Sequence, residues 1–186
     1  SFRNRWQHLR NTNDTGNGNN SDVFYSELQT QKLGAWGMEK MAMTTGIVHQ
    51  YTIGEAELYT GGNEDGINTA RNIAAYMQLD QPVTETLNLS MGARYEYFAI
   101  NEYDSLTSQS DGKPVFRAGA NYQIAEETYL RASLGQGFRF PTIAEKFIRT
   151  GLGELQVYPN LDLKPESSTS IEVGIKQGVK LGPFLG

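Results

Sequence analysis

Hydrophobic and polar positions alternate along most of this chain, and the alternation is interrupted at intervals by polar segments. It is cleanest over residues 87–97. Leu87, Leu89, Met91, Ala93, Tyr95 and Tyr97 fall on one face there, and Asn88, Ser90, Gly92, Arg94 and Glu96 fall on the other. A period of two sustained that long predicts a β-strand with one apolar and one polar surface. The pattern returns as Phe116, Ala118, Ala120 and Tyr122 against Arg117, Gly119 and Asn121, and as Leu130, Ala132 and Leu134 against Arg131, Ser133 and Gly135. It returns once more as Ile171, Val173 and Ile175 against Glu172, Gly174 and Lys176. Earlier stretches are weaker. Residues 2–10 alternate moderately, 23–33 read as a returning strand, and 41–59 can extend with Met41, Met43, Ile47, Tyr51 and Ile53 on one parity. Residues 68–80 suit two periods: Ile73, Ala75, Met77 and Leu79 alternate, while Ile73, Ala74 and Met77 also fit helical spacing. Strand neighbours on both sides favour the strand.

The interruptions have their own order. Long polar segments at 11–22, 60–67, 100–113 and 137–167 alternate with shorter turns near 34–40, 81–85, 125–127 and from 177 onward. Eight strands joined this way form antiparallel hairpins, with the long loops at one end and the short turns at the other. Strands of about 9–11 residues are what a tilted strand needs to cross a bilayer. Long loops on one side only are the arrangement of bacterial outer-membrane barrels. The expected fold is therefore all-β: an antiparallel transmembrane β-barrel segment of about eight meandering strands. A soluble sandwich would also alternate, but it would not sort its loops by length. Nor would it set Arg94, Glu96, Arg117 and Arg131 on strand faces opposite aromatic ones, whereas in a barrel those charges face a polar interior. Aromatic residues at strand ends (Phe24, Tyr25, Trp36, Tyr59, Tyr95, Tyr97, Phe98) suit interfacial girdles, and equally hydrophobic contacts within the folded chain.

Composition narrows the chemistry. Hydrophobic residues make up only 38% of the 186, while Tyr (10) and Phe (8) are plentiful, as strands burying a single face would need. The longest apolar run, 73–77, is far too short for a transmembrane helix of about 20 residues. Without cysteine there are no thiolate metal sites and no disulfides. A net charge of −5 disfavours nucleic acid, whose binding depends on neutralising phosphates. Two histidines supply no metal or catalytic cluster. The Asn-rich 11–22 segment loosely echoes a calcium loop but lacks its acidic ligands, and Glu55, Glu57, Glu64 and Asp65 read as a solvated loop. No cofactor, metal or catalytic residue is nominated. The chain begins at Ser1, shows no signal peptide, and ends on Gly-Pro-Phe-Leu-Gly, so a piece of a longer protein is expected.

The most distinctive stretch is 129–166. Its alternation stops at Gly137 and is followed by Phe138-Arg139-Phe140-Pro141-Thr142, a short helical patch around Ile143-Ala144-Glu145, and Pro159-Asn160-Leu161-Asp162-Leu163-Lys164-Pro165-Glu166 before a strand resumes. These blocks resemble the TonB-dependent outer-membrane receptors, which carry a Gly-Phe-Arg-x-Pro-Thr block, an acidic helical patch and a Pro-Asn-x-x-Leu-x-Pro-Glu block between two strands. The resemblance is clear over 68–177 and rests on architecture alone before that. Its motif positions are Gly137, Phe138, Arg139, Pro141, Thr142, Pro159, Asn160, Leu163, Pro165 and Glu166. Local physics suggests why. Gly135 and Gly137 let the backbone leave the sheet. Pro141 suits the first turn of a helix that Gly151 or Gly153 could end. Ile143 and Phe147 would share a helix face, and Pro165 fits just before a strand. On these grounds the block shapes a loop and its re-entry rather than binding a ligand.

The resemblance implies that this is part of a larger barrel of about twenty-two strands filled by a plug domain. Such a barrel resides in outer-membrane lipid and takes up a scarce nutrient with energy passed through TonB, most often an iron–siderophore chelate. Residues 1–186 would be a partial barrel domain, without the plug or the closing C-terminal strand. Arg94, Arg117 and Arg131 would be lumenal residues paired with Glu96, Glu172 or plug groups. Two other readings are a porin- or adhesin-like barrel without a plug and a soluble β-rich carbohydrate-binding or hydrolase domain. For the last, no carboxylate pair at glycosidase spacing stands out.

Overall fold

The computed structural model describes residues 1–12, 18–101, 108–152 and 154–179. Eight strands form one sheet: β1 (Phe2–Asn11), β2 (Asn19–Leu33), β3 (Ala42–Ala56), β4 (Ile67–Pro82), β5 (Leu87–Ile100), β6 (Gln109–Ala125), β7 (Thr128–Arg139) and β10 (Glu166–Gln177). Between β7 and β10 lie a single-turn helix, α1 (Ile143–Phe147), and a small hairpin, β8 (Thr150–Leu152) and β9 (Leu155–Val157). The sheet order is β1-β2-β3-β4-β5-β6-β7-β10, with every neighbouring pair antiparallel. It is an open meander, with β1 and β10 at its edges.

The ambiguous 68–80 stretch is strand β4, paired along its length with β3 and β5. Every strand of the sheet except β1 exceeds the expected span, most of all β2 and β3 with 15 residues, β4 with 16 and β6 with 17. Ladder hydrogen bonds need no apolar side chains, so pairing continues through polar ends such as Asn19–Asp22 and Gln109–Lys113, which the pattern left in loops. Loop length is sorted less cleanly than expected, because the 34–41 connection is as long as 12–18 and 101–108 opposite it. Residues 13–17, 102–107 and 180–186, which include parts of the predicted 11–22 and 100–113 loops, lie outside the described residues.

Register keeps the two faces apart over the full width. One row of partners runs Leu28–Ile47–Ala75–Tyr95 and another runs Met91–Ala118–Leu134–Ile171. This face is apolar and bare: Ile47 stays 57% exposed and Met91 60%. The opposite face carries Glu27, Gln50, Asn72, Arg94, Glu96, Arg117, Arg131 and Glu172. Among the described residues, the tight apolar cluster sits at the long-loop end, where α1 packs Ile143 and Phe147 against Ile100, flanked by Tyr59, Ala70 and Phe98. Three of the aromatics expected at an interface are therefore used otherwise. Tyr59 and Phe98 border this cluster, and Tyr25 turns to the polar face to reach Glu27. Phe24, Trp36 and Tyr95 remain exposed.

Candidate functional site: the strap and the polar face

Residues 140–165 form a strap that leaves β7, folds over the end of the sheet and re-enters at β10. Its first anchor is helical. Thr142 caps α1 by accepting from the Glu145 amide (3.2 Å), while the Glu145 carboxylate accepts from the Thr142 amide (2.8 Å), a reciprocal capping box. The signal was present in the sequence as Thr-x-x-Glu (142–145). Pro141 accordingly precedes the cap instead of opening the helix. The helix also ends earlier than its glycines suggested. Ile148 turns extended, and Gly151 lies in the β8–β9 hairpin, a feature with too little pattern to predict. Gly153 lies outside the described residues.

Arg139 is the second anchor. Its guanidinium donates to both oxygens of Glu145 (2.8 and 2.9 Å) and to both oxygens of Glu166 (3.0 and 3.3 Å). The end of β7, the helix cap and the start of β10 are thus joined at one side chain. The Glu166 contact is a two-pronged fork, the strong form of charged hydrogen bond, whereas the Glu145 oxygens share one guanidinium nitrogen. The amide of Thr142, then the Arg139 guanidinium, hold the Glu145 carboxyl below the usual carboxylate value.

The rest of the strap is tied down by backbone. Gly61 donates to the Phe147 carbonyl (3.1 Å), Arg149 to that of Leu58 (2.7 Å) and Asn160 to that of Lys146 (3.0 Å). Pro159 rests on Gly61, Leu163 is half-buried and donates to the Asn160 carbonyl (3.3 Å), and Pro165 immediately precedes β10. The Lys146 side chain is buried and donates to Gln109, and that burial pushes its ammonium below the ordinary lysine value. Beneath the strap, Asn101 donates to Asn68 (2.8 Å), which in turn donates to the Tyr59 carbonyl (2.9 Å), fixing the 57–66 loop against the end of β5. The Gly137 Cα faces Ser168 on β10, and β7 keeps pairing with β10 through Arg139 while its pairing with β6 ends at Gly135. β7 therefore leaves one neighbour without bulging against the other.

On the polar face, side chains reach across intervening strands at glycines. The Tyr76 hydroxyl on β4 donates to Glu27 on β2 (2.9 Å), crossing β3 at Gly46, where an added Cβ would lie 2.4 Å from the ring. Arg117 on β6 similarly crosses β5 at Gly92 to reach Gln78 on β4. Glu27 also receives Tyr25 (3.0 Å) and lies 3.6 Å from Arg3. Arg94 sits 5.7 Å over the Tyr76 ring and pairs with Glu96 at 2.5 Å. The five charged residues singled out from sequence thus share one face. Of the carboxylates expected to pair with its arginines, Glu96 takes Arg94, while Glu172 is set opposite Ser133, away from this network.

Between strap and sheet lies a cavity of about 570 Å³. Phe140 stacks on Phe98 (4.4 Å between centroids, 16°) and meets Phe138 edge-on (4.4 Å, 83°), with the Lys113 ammonium 5.1 Å over the Phe138 ring. These rings form one wall, and the polar face of β2–β4 forms the other. Among the described residues no group of three or more His, Cys, Asp or Glu side chains is placed to hold a metal ion.

A family model described as TonB dependent receptor-like, β-barrel, matches residues 1–185. Among solved structures, the ferric yersiniabactin uptake receptor FyuA from Yersinia pestis superposes with a TM-score of 0.59 at 14% identity. The match covers 96% of this chain and 30% of that receptor, so the chain spans less than a third of its structural neighbour.

Proposed function

The chain belongs to the TonB-dependent receptor-like β-barrel family, and on that premise we propose that it forms part of the wall of an outer-membrane receptor for TonB-energised uptake of a scarce nutrient, of the iron–siderophore type. Members of this family are outer-membrane transporters rather than enzymes. One observation carries the reading: across all eight strands, one face is apolar and uncovered while the other is polar and charged. A barrel wall between lipid and an aqueous, plug-filled lumen requires that division. Arg94, Glu96, Arg117, Arg131 and Glu172 are then lumen-facing, within reach of a plug domain supplied by the remainder of a longer chain. The open ladders of β1 and β10 suit further strands on both sides. The motif residues Arg139, Thr142, Pro159 and Asn160 act as the strap's fastenings.

The test is iron-limited growth of cells whose uptake depends on the full-length receptor. Growth on the cognate chelate should require TonB and the inner-membrane proton gradient. Cargo entry that persists without TonB, with steady conductance in planar bilayers, would instead mark an open pore.

A further inference from the structure

The cavity beneath the strap has two chemically different walls. Register sets Gln50, Asn72 and Phe98 in one row across β3, β4 and β5. Thr52 and Ser21 extend the amide and hydroxyl surface, and Phe140, stacked on Phe98, supplies a flat apolar one. The polar wall has hydrogen-bonding capacity to spare. Among the described residues, the Gln50 side chain reaches only Thr52 and the Asn72 side chain only Glu96, each at a long 3.5 Å. The charges at the margin are already engaged, Arg139 by Glu145 and Glu166, and Glu96 by Arg94. Arg71 is on the opposite parity, with its guanidinium 5.9 Å over the Tyr51 ring.

From this arrangement we infer that the cavity binds an electroneutral ligand that pairs a flat apolar surface with hydroxyl or amide groups. This rests on the reading of the polar face as the lumen. A charged ligand would leave water for a site whose own charges are paired with each other, and such burial is costly. Two sources share the neutral chemistry. In a ferric tris-hydroxamate the ligand anions cancel the charge of the iron, and an oligosaccharide carries no charge at all. A ferric tris-catecholate keeps net negative charge and calls for free cations; among the described residues lining the cavity Arg139 is paired and Arg71 lies over Tyr51, while Lys113 sits over the Phe138 ring outside that lining. The volume is within the roughly 300–1,000 Å³ typical of small-molecule sites.

Titration calorimetry of the full-length receptor in detergent tests the inference with three probes: a neutral ferric tris-hydroxamate, maltohexaose and an anionic ferric tris-catecholate. One neutral probe should bind, identifying the source, and the tris-catecholate should not. Gln50→Leu, which keeps the side chain's bulk, and Phe140→Ala should each weaken that binding by about tenfold or more. The inference is overturned if the tris-catecholate binds most tightly, if either variant binds the neutral probe as the parent does, or if no probe binds. TonB-dependent accumulation in cells reports separately. If it is intact for a cargo whose binding ignores both substitutions, the cavity assignment falls and the uptake reading stands.

Discussion

Replacing Arg139 by Ala would leave the Glu145 and Glu166 carboxylates without the cation that joins them, and the strap would lose the tie between its two ends. The expected consequence is local. Amide exchange over 140–149 should accelerate by at least roughly fivefold while the strand amides hold steady, the signature of partial opening. Uniform acceleration through the sheet would show that the pair has a global role. Acid should act at the same place. The folded-state pKa of Glu145 is lowered, first by the Thr142 amide and then by Arg139. Its contribution is therefore fully present above the ordinary carboxylate value and lost as pH falls through the folded value. Exchange at α1 corrected for intrinsic rates should stay flat from neutral down past pH about 5 and rise only below the normal Glu range. Glu145→Gln should remove that dependence.

At the scale of elements, the sheet is braced by side chains lying across a strand, and this depends on what the crossed strand lacks. Gly46→Ala puts a methyl 2.4 Å from the Tyr76 ring, so ring or strand must move. A cost of about 1–3 kcal/mol in urea unfolding is expected, as for other overpacked sites. The same substitution in a Tyr76→Ala background should cost far less, giving a coupling of about 0.5–3 kcal/mol in a double-mutant cycle. Additive effects would mean that Gly46 matters for its own backbone rather than for Tyr76. Period-two patterning located the later strands clearly, the early ones weakly, and the 68–80 strand only with help from its neighbours. It placed strand ends poorly, because Asn19–Asp22 and Gln109–Lys113 pair through backbone groups whatever their side chains. The Thr142–Glu145 capping box was written locally and could have been read. The partners of Arg139 could not, since Glu166 lies 27 positions along the chain.

Over the whole molecule, what matters is which face a residue occupies. Ile47→Lys places a charge on the apolar face and should reduce the stability of the full-length receptor refolded into lipid vesicles by about 2–4 kcal/mol. Asn88→Lys, on the polar face, should stay within about 0.5 kcal/mol of the parent. Equal costs at the two positions would contradict the assignment of lipid to one face and lumen to the other.

Alternation determined the later strands and which of their residues share a face, because the side-chain period of a strand is a local property; the strand at 68–80 needed its neighbours, and the antiparallel order needed the spacing of the connections. The motif blocks likewise marked the family from short runs of residues. Only the tertiary structure decided that Arg139 bridges Glu145 and Glu166, that Tyr76 reaches Glu27 across Gly46, and that Phe140 closes a cavity over Gln50 and Asn72. Apart from the Arg139–Glu145 pair, those contacts join residues far apart in the chain, and their distances depend on register and on the path of the strap, which no local pattern encodes.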